Sequence, residues 1–250
     1  MEIKPYYEKN GMIIYNGDCF EVMKQFDDKS FDLVLTSPPY NMRTRICNDK
    51  YTTIGKSENF SKKYSYFSDD LPIDKYFKFH KETIRYMMNI SRTVFINFQI
   101  VSGSKEAWFS LIGEFNKNIK DIIVWDKGFG QPAMHSSVMN RGYELILILE
   151  EPANLGRSFT NSTFKRGEMQ DIWRVGRGGK GNFKGHSALF PETLVYKVIN
   201  NWKSDCVLDP FMGTGTTLVV ARKLGKRAVG IEISKEYCDI AIDRLNEILL

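Results

Sequence analysis

The sequence predicts an α/β fold: a single domain, residues 1–250, built on a doubly wound, mostly parallel sheet of seven strands. Three observations point there. Continuous apolar runs, such as 145–149, lack the alternation of a strand with one wet face and read as strands buried on both sides. Segments with helical spacing fall between the strands, as the crossover helices of a parallel sheet do. A turn carrying Gly213-Thr214-Gly215 leaves a strand and opens a helix, at the strand end where such sheets hold ligands.

In chain order, residues 12–15 form a short apolar strand ending in Asn16-Gly17-Asp18, and Asp18 is placed to cap a helix over 20–26. A second strand covers 31–36. From 41 to about 66 the chain is polar without clear periodicity, and a loop that long in a compact domain is functional or mobile. Residues 74–90 are helical, with Phe77, Ile84, Met87 and Met88 on one side. A strand at 93–98, a helix at 105–115 and strands at 121–125 and 143–149 follow. Residues 151–182 are irregular, basic and glycine-rich. Pro191 opens a helix over 191–200, since its missing N–H costs nothing in a first turn. A strand at 206–209, a helix at 216–224, a strand at 227–233 and a helix at 235–249 complete the chain. In that last helix Tyr237, Ala241, Leu245 and Ile248 share a face.

The net charge of +5 is unevenly spread. Residues 41–66 carry +4 and residues 157–184 carry +5, leaving −4 for the remainder. Two basic segments on a slightly acidic body form a footprint for a polyanion. The candidate phosphate contacts are Arg43, Arg45, Lys62 and Lys63 in the first segment, and Lys165, Arg166, Arg177 and Lys180 in the second. Four scattered cysteines and three scattered histidines offer no zinc spacing, so no metal is expected. Free thiols and the lack of any apolar run near membrane length suit a cytoplasmic protein.

Two motifs carry chemistry. Thr36-Ser37-Pro38-Pro39-Tyr40 ends the 31–36 strand. Consecutive prolines donate no main-chain hydrogen bonds and stiffen the exit, leaving bare carbonyls beside a hydroxyl and an aromatic ring. That set suits a flat ring bearing an amino group. The second motif, Asp209-Pro210-Phe211-Met212-Gly213-Thr214-Gly215-Thr216-Thr217, lets the main chain approach a ligand at a helix N-terminus. Glu232, at the end of the next strand, is placed for ribose hydroxyls. The G-x-x-x-x-G-K-[ST] pattern of a phosphate-binding loop is lacking, which disfavours ATP.

Together these motifs resemble those of the amino-methylating DNA methyltransferases. Their order, Ser37–Tyr40 first and Asp209–Thr217 last, resembles the permuted β group of that family. The resemblance implies the methyltransferase (Rossmann-like) sheet with one reversed strand, and S-adenosylmethionine as cofactor. Asn16-Gly17-Asp18 and His186 to Glu192 are similar to cofactor-side segments of the family. By that resemblance the cofactor contacts are Asp18, Phe190, Asp209, Phe211, Gly213, Gly215, Thr216 and Glu232, and the catalytic residues Ser37, Pro38, Pro39 and Tyr40. It also implies double-stranded DNA as partner, a homodimer, a cognate restriction endonuclease, and a short target-recognition insertion at 151–182. Ser37 Oγ and the Pro38 carbonyl are expected to accept hydrogen bonds from the amino group of a flipped base, with Tyr40 stacking on it. The basic loop 41–66 is expected to close over that base. Carbon methylation of cytosine needs a thiolate, and no cysteine here follows a proline. Serine at the first position resembles cytosine-N4 enzymes more than adenine-N6 enzymes. Two rival readings use the same residues: a methyltransferase acting on RNA or protein glutamine, and an inactive DNA-binding module.

Overall fold

A computed structural model describes residues 3–41, 44–47, 50–53, 61–62, 71–131, 136–151, 156–176 and 190–248. The strands are β1 (Tyr7–Lys9), β2 (Met12–Asn16), β3 (Phe31–Thr36), β4 (Thr44–Cys47), β5 (Lys50–Thr53), β6 (Ser61–Lys62), β7 (Ser91–Phe98), β8 (Ile119–Gln131), β9 (Arg141–Glu150), β10 (Ile172–Arg174), β11 (Cys206–Asp209) and β12 (Arg227–Glu232). The helices are α1 (Cys19–Met23), α2 (Ile73–Ile90), α3 (Lys105–Glu114), α4 (Glu192–Asn201), α5 (Thr216–Lys223) and α6 (Lys235–Asn246).

The main sheet has the order β1-β2-β12-β11-β3-β7-β9-β8-β10. Strands β2, β12, β11, β3 and β7 are mutually parallel, and β9 runs against β7 and β8. The seven expected strands, with one of them reversed, form its centre. Two three-residue edge strands enlarge it to nine, and one of them, β1, is also antiparallel to its neighbour. A further correction concerns 41–66: within that stretch β4, β5 and β6 form a small antiparallel sheet of their own.

Side chains alternate between two cores. Leu33, Leu35, Phe95, Ile146 and Ile148 face the layer of α4, α5 and α6, while Val34, Val94, Ile96, Leu147 and Leu149 face α1, α2 and α3. Burial on both faces explains why these strands read as unbroken apolar runs. Asp18 caps α1 as expected, accepting from the backbone N–H of Phe20 at 2.9 Å and Glu21 at 3.2 Å. Pro191 occupies the N-cap of α4 rather than its first turn. Because β2, β12, β11 and β3 are parallel neighbours, the carboxyl ends of the strands that precede Asp18, Ser37, Gly213 and Ile233 open on one rim.

Candidate active site

The two motifs meet across the β3–β11 pair. Val207 and Leu208 lie in register with Leu33 and Val34, so Thr36 and Asp209 leave the sheet side by side. The fully buried Thr36 hydroxyl donates to Asp209 Oδ1 at 2.8 Å. Thr217 Oγ1 donates to Oδ2 at 2.6 Å, and the Phe211 N–H to Oδ1 at 3.2 Å. Burial pushes the Asp209 carboxyl up to about 6, against the downward pull of the Thr217, Thr36 and Phe211 bonds. This carboxylate, expected among the cofactor contacts, is buried and clamps the catalytic turn to the glycine loop.

The serine-proline turn is held from behind. The Tyr76 hydroxyl of α2 donates to the Pro39 carbonyl at 2.7 Å. Asn41, at φ 55° and fully buried, donates through Nδ2 to Leu71 O at 3.0 Å and Gly103 O at 2.7 Å. Among the described residues none donates to the Pro38 carbonyl. In front, Ser37 Oγ lies 2.9 Å from the Tyr40 hydroxyl, which donates to Glu144 Oε2 at 2.8 Å. Asn97 Nδ2 touches Ser37 Oγ at 3.3 Å, the Tyr40 hydroxyl at 2.5 Å and Glu144 Oε2 at 2.8 Å. Glu144 Oε1 in turn holds the ammonium of Lys127 at 3.0 Å, with the two side chains only 11 % and 4 % exposed.

The glycine loop is shaped for close approach. Gly213 and Gly215 sit at φ 52° and 78°, in the left-handed region. A Cβ on Gly215 would lie 2.7 Å from Ala241 Cβ, so α6 can pack against the loop only if that position is glycine. Arg244 of α6 donates to Thr214 O at 2.6 Å and to Thr216 Oγ1 at 3.1 Å, fixing the loop from the same side. Glu232 accepts from Gly213 N at 3.1 Å and Ser234 N at 2.8 Å. Burial raises its carboxyl above the ordinary value, and those two N–H groups oppose the shift. Gly17 N and Asn16 Nδ2 bond the Glu232 carbonyl, which brings the exposed Asp18 beside it. Phe211 packs near Phe79, and Phe190 near Trp125. Carboxylates at two adjacent strand ends, half-buried rings and an open helix N-terminus fit a nucleoside-bearing ligand such as S-adenosylmethionine.

Not every expected contact belongs to this rim. Lys165 and Arg166 lie in an exposed turn at the opposite end of the sheet. Asn161 nearby donates to Asp32 O and Lys203 O, at the starts of β3 and β11, and Phe159 and Phe164 pack edge-on against Trp202. That aromatic anchor carries 156–171 under the amino ends, and only from β10 onward does the chain climb back beside β8. Of the stretch 151–182, residues 156–171 thus lie at the amino ends of the strands and 172–174 beside β8. Arg45 and Lys62 are register partners on β4 and β6. Arg43, Lys63, Arg177 and Lys180 lie outside the described residues, as do 186–189. Sequence reading missed Asn97, Lys127, Glu144 and Arg244; each of the first three is a polar residue within or at the end of an apolar strand, a signal that was present.

A family model described as DNA methylase matches residues 31–243. The chain belongs to that family. The DNA methylases of this family use S-adenosylmethionine and modify exocyclic amino groups, N4 or N6, so the resemblance read from the two motifs holds. Among curated relatives, the Type II methyltransferase M2.DpnII of Streptococcus pneumoniae is 29 % identical over 256 residues, spanning 97 % of this chain and 92 % of that one. M.HinfI of Haemophilus influenzae is 29 % identical across 94 % of this chain and 68 % of its own. The solved PvuII DNA methyltransferase (cytosine-N4-specific) superposes with a TM-score of 0.72 at 18 % identity, covering 98 % of this chain and 91 % of that one. The M1.HpyAVI–SAM complex gives 0.60 at 22 % identity, covering 94 % and 100 %. These two likenesses show that the DNA methylase shares their fold. Among its described residues no helix is long and apolar enough to cross a membrane, and no cluster of His, Cys, Asp and Glu suits a metal.

Proposed function

We propose that this DNA methylase methylates the exocyclic amino group of a base flipped out of duplex DNA, with cytosine N4 favoured over adenine N6. The observation that carries the reading is the contrast between two neighbouring carbonyls. Tyr76 occupies Pro39 O, while among the described residues none donates to Pro38 O, beside the Ser37 hydroxyl, which offers its lone pairs to a substrate N–H. Bound over the glycine loop, S-adenosylmethionine supplies an electrophilic methyl group. Asp18, Glu232, Phe190, Phe211 and the backbone from Gly213 to Thr216 would hold it, with Asp209 and the Thr216 hydroxyl acting through the loop.

The amino nitrogen of a nucleobase is a poor nucleophile because its lone pair is conjugated into the ring. Accepting both of its hydrogens, at Ser37 Oγ and Pro38 O, favours the tetrahedral nitrogen whose lone pair points out of the ring. The network sets the direction of the serine hydroxyl. With Tyr40 donating to Glu144, Ser37 donates to Tyr40 and presents its lone pairs to the substrate. Asn97 positions all three groups, and the Tyr40 ring stacks on the base. The hydrogen-bond chain from Ser37 through Tyr40 to Glu144 also gives the proton released by the nitrogen a path away from it.

Arg43, Arg45, Lys62, Lys63, Arg177 and Lys180 remain the proposed phosphate contacts, within 41–66 and the segment after β10. The Type II names of the relatives extend the proposal to a cognate endonuclease that cuts the unmethylated site. Serine in the first position of the tetrapeptide favours cytosine, and adenine N6 is the second reading because both bases carry an amino group beside a ring nitrogen. Digesting DNA from expressing cells to nucleosides and separating N4-methylcytosine from N6-methyladenine by mass spectrometry decides between them.

A further inference from the structure

We propose that the β8–β9 hairpin is the wedge that enters the DNA stack when the target base leaves it, with Phe129 and Met139 as the inserted side chains. The inference rests on the base-flipping reading above and assigns that step to residues the two motifs do not include.

The hairpin is continuous with the catalytic network. Glu144, which holds Tyr40, pairs with Trp125 across the two strands, and Tyr143 pairs with Asp126. From Glu144 the hairpin rises away from the rim, and Arg141 stands three residues, on the order of 10 Å, beyond it. Between the pairs Asp126–Tyr143 and Gln131–Arg141, β8 carries extra residues and bulges. Gly128, at φ 83°, turns the bulge, and Gly130 lets the backbone lie against Arg141, where a Cβ would come within 2.7 Å. The bulge has two consequences. It turns Lys127 inward, to 6 % exposure against Glu144, and throws Phe129 outward to 73 %. Across the hairpin Val138 and Met139 are 58 % and 91 % exposed, and Tyr143 41 %. Four of the nine large exposed apolar residues among those described therefore stand on this one element, at the catalytic rim.

Apolar side chains set in water beside a catalytic rim need an apolar partner. The surroundings favour stacked bases. Residues 127–143 contain no Asp or Glu; the nearest acids on the hairpin, Asp126 and Glu144, stand at its base, where Lys127 holds Glu144. Arg141 approaches the Tyr143 ring, and Arg174, 86 % exposed on β10 and 3.6 Å from Asp126, flanks the same edge. Proteins that deform DNA insert apolar wedges of this kind between base steps, and unstacking is the cost of flipping.

The test uses the full-length enzyme with Met139→Ala, Phe129→Ala and both together. The substrate is a short duplex carrying the site mapped by sequencing DNA from expressing cells. A second duplex is identical except for an abasic position opposite the target base, which is thereby already unstacked. The wedge predicts that the double variant loses about 10- to 100-fold in kcat/KM on the intact duplex and regains most of it on the abasic duplex. Fluorescence of 2-aminopurine at the target should fall in parallel. Equal losses on both substrates, or none on either, overturn the assignment. So does a loss accompanied by dissociation of a homodimer in sedimentation, which makes the hairpin an interface between copies. If the unmutated enzyme methylates neither duplex, the underlying reading fails instead, and Ser37→Ala, silent on both substrates, separates that case from a failed wedge.

Discussion

Thr36→Val should damage this protein in a pH-dependent way. The substitution keeps the shape of the side chain but removes the hydroxyl that donates to Asp209 Oδ1 at 2.8 Å, leaving, among the described residues, the 3.2 Å contact from Phe211 N to that oxygen. Both groups are buried, Thr36 fully and Asp209 to 4 % exposure. A hydrogen bond to a buried charged group contributes about 1.5–3 kcal/mol, and one between neutral groups about 0.5–1.5 kcal/mol. The carboxyl, pushed up to about 6 by burial, keeps its proton in the folded chain at a pH where the unfolded chain has released it. Folding stability therefore falls as pH rises from about 4 to about 6, because the native state binds more protons. Removing the Thr36 bond raises the carboxyl further and deepens that fall. At pH 5, with Asp209 largely protonated, the variant loses about 1 kcal/mol; at pH 8 it loses about 2 kcal/mol or more. In a domain of this size these correspond to falls in Tm of about 2–4 °C and about 4–8 °C. Thermal unfolding by circular dichroism at the two pH values measures both. An equal fall at pH 5 and pH 8 would refute the reasoning, since it would mean that Thr36 does not bond the charged form.

Three further outcomes follow from the geometry. Ser37→Ala should lower turnover by about 10²-fold or more while leaving cofactor affinity nearly intact; Tyr40→Phe, which keeps the ring but frees Ser37 from its hydroxyl, should fall between that variant and Tyr40→Ala. Single-turnover rates set beside calorimetric titration of S-adenosylmethionine check this. Glu144→Gln strands the Lys127 ammonium in a buried site and should cost about 3–5 kcal/mol of stability; adding Lys127→Met should restore much of it, as urea unfolding of the single and double variants will show. Gly215→Ala places a Cβ on a left-handed residue 2.7 Å from Ala241, so titration should find S-adenosylmethionine binding weakened at least tenfold, roughly 1.4 kcal/mol.

How much of this was legible in the sequence depends on the scale of the signal. Strands such as β3, β7 and β9 announce themselves because burial on both faces makes them uniformly apolar, and Gly213 and Gly215 because a strand-to-helix turn needs left-handed backbone. Three-residue edge strands such as β1 and β10 are too short to show a period. The neighbour order β7-β9-β8 follows tertiary packing, so nothing local told that Glu144 and Asn97 would reach Tyr40. Each was visible only as a polar residue in an apolar strand. The placement of Lys165 and Arg166 was hidden for a similar reason. Charge along a connection does not reveal which end of the sheet it crosses, and here the packing of Phe159 and Phe164 on Trp202 decided that.

Identifying the methylated nucleoside tests the central claim most directly. DNA incubated with the enzyme and S-adenosylmethionine labelled in its methyl group, then digested and resolved by mass spectrometry, should carry the label on an exocyclic nitrogen, chiefly as N4-methylcytosine, and none after treatment with Ser37→Ala. Label on cytosine carbon 5, or undiminished labelling by the serine variant, would contradict the account.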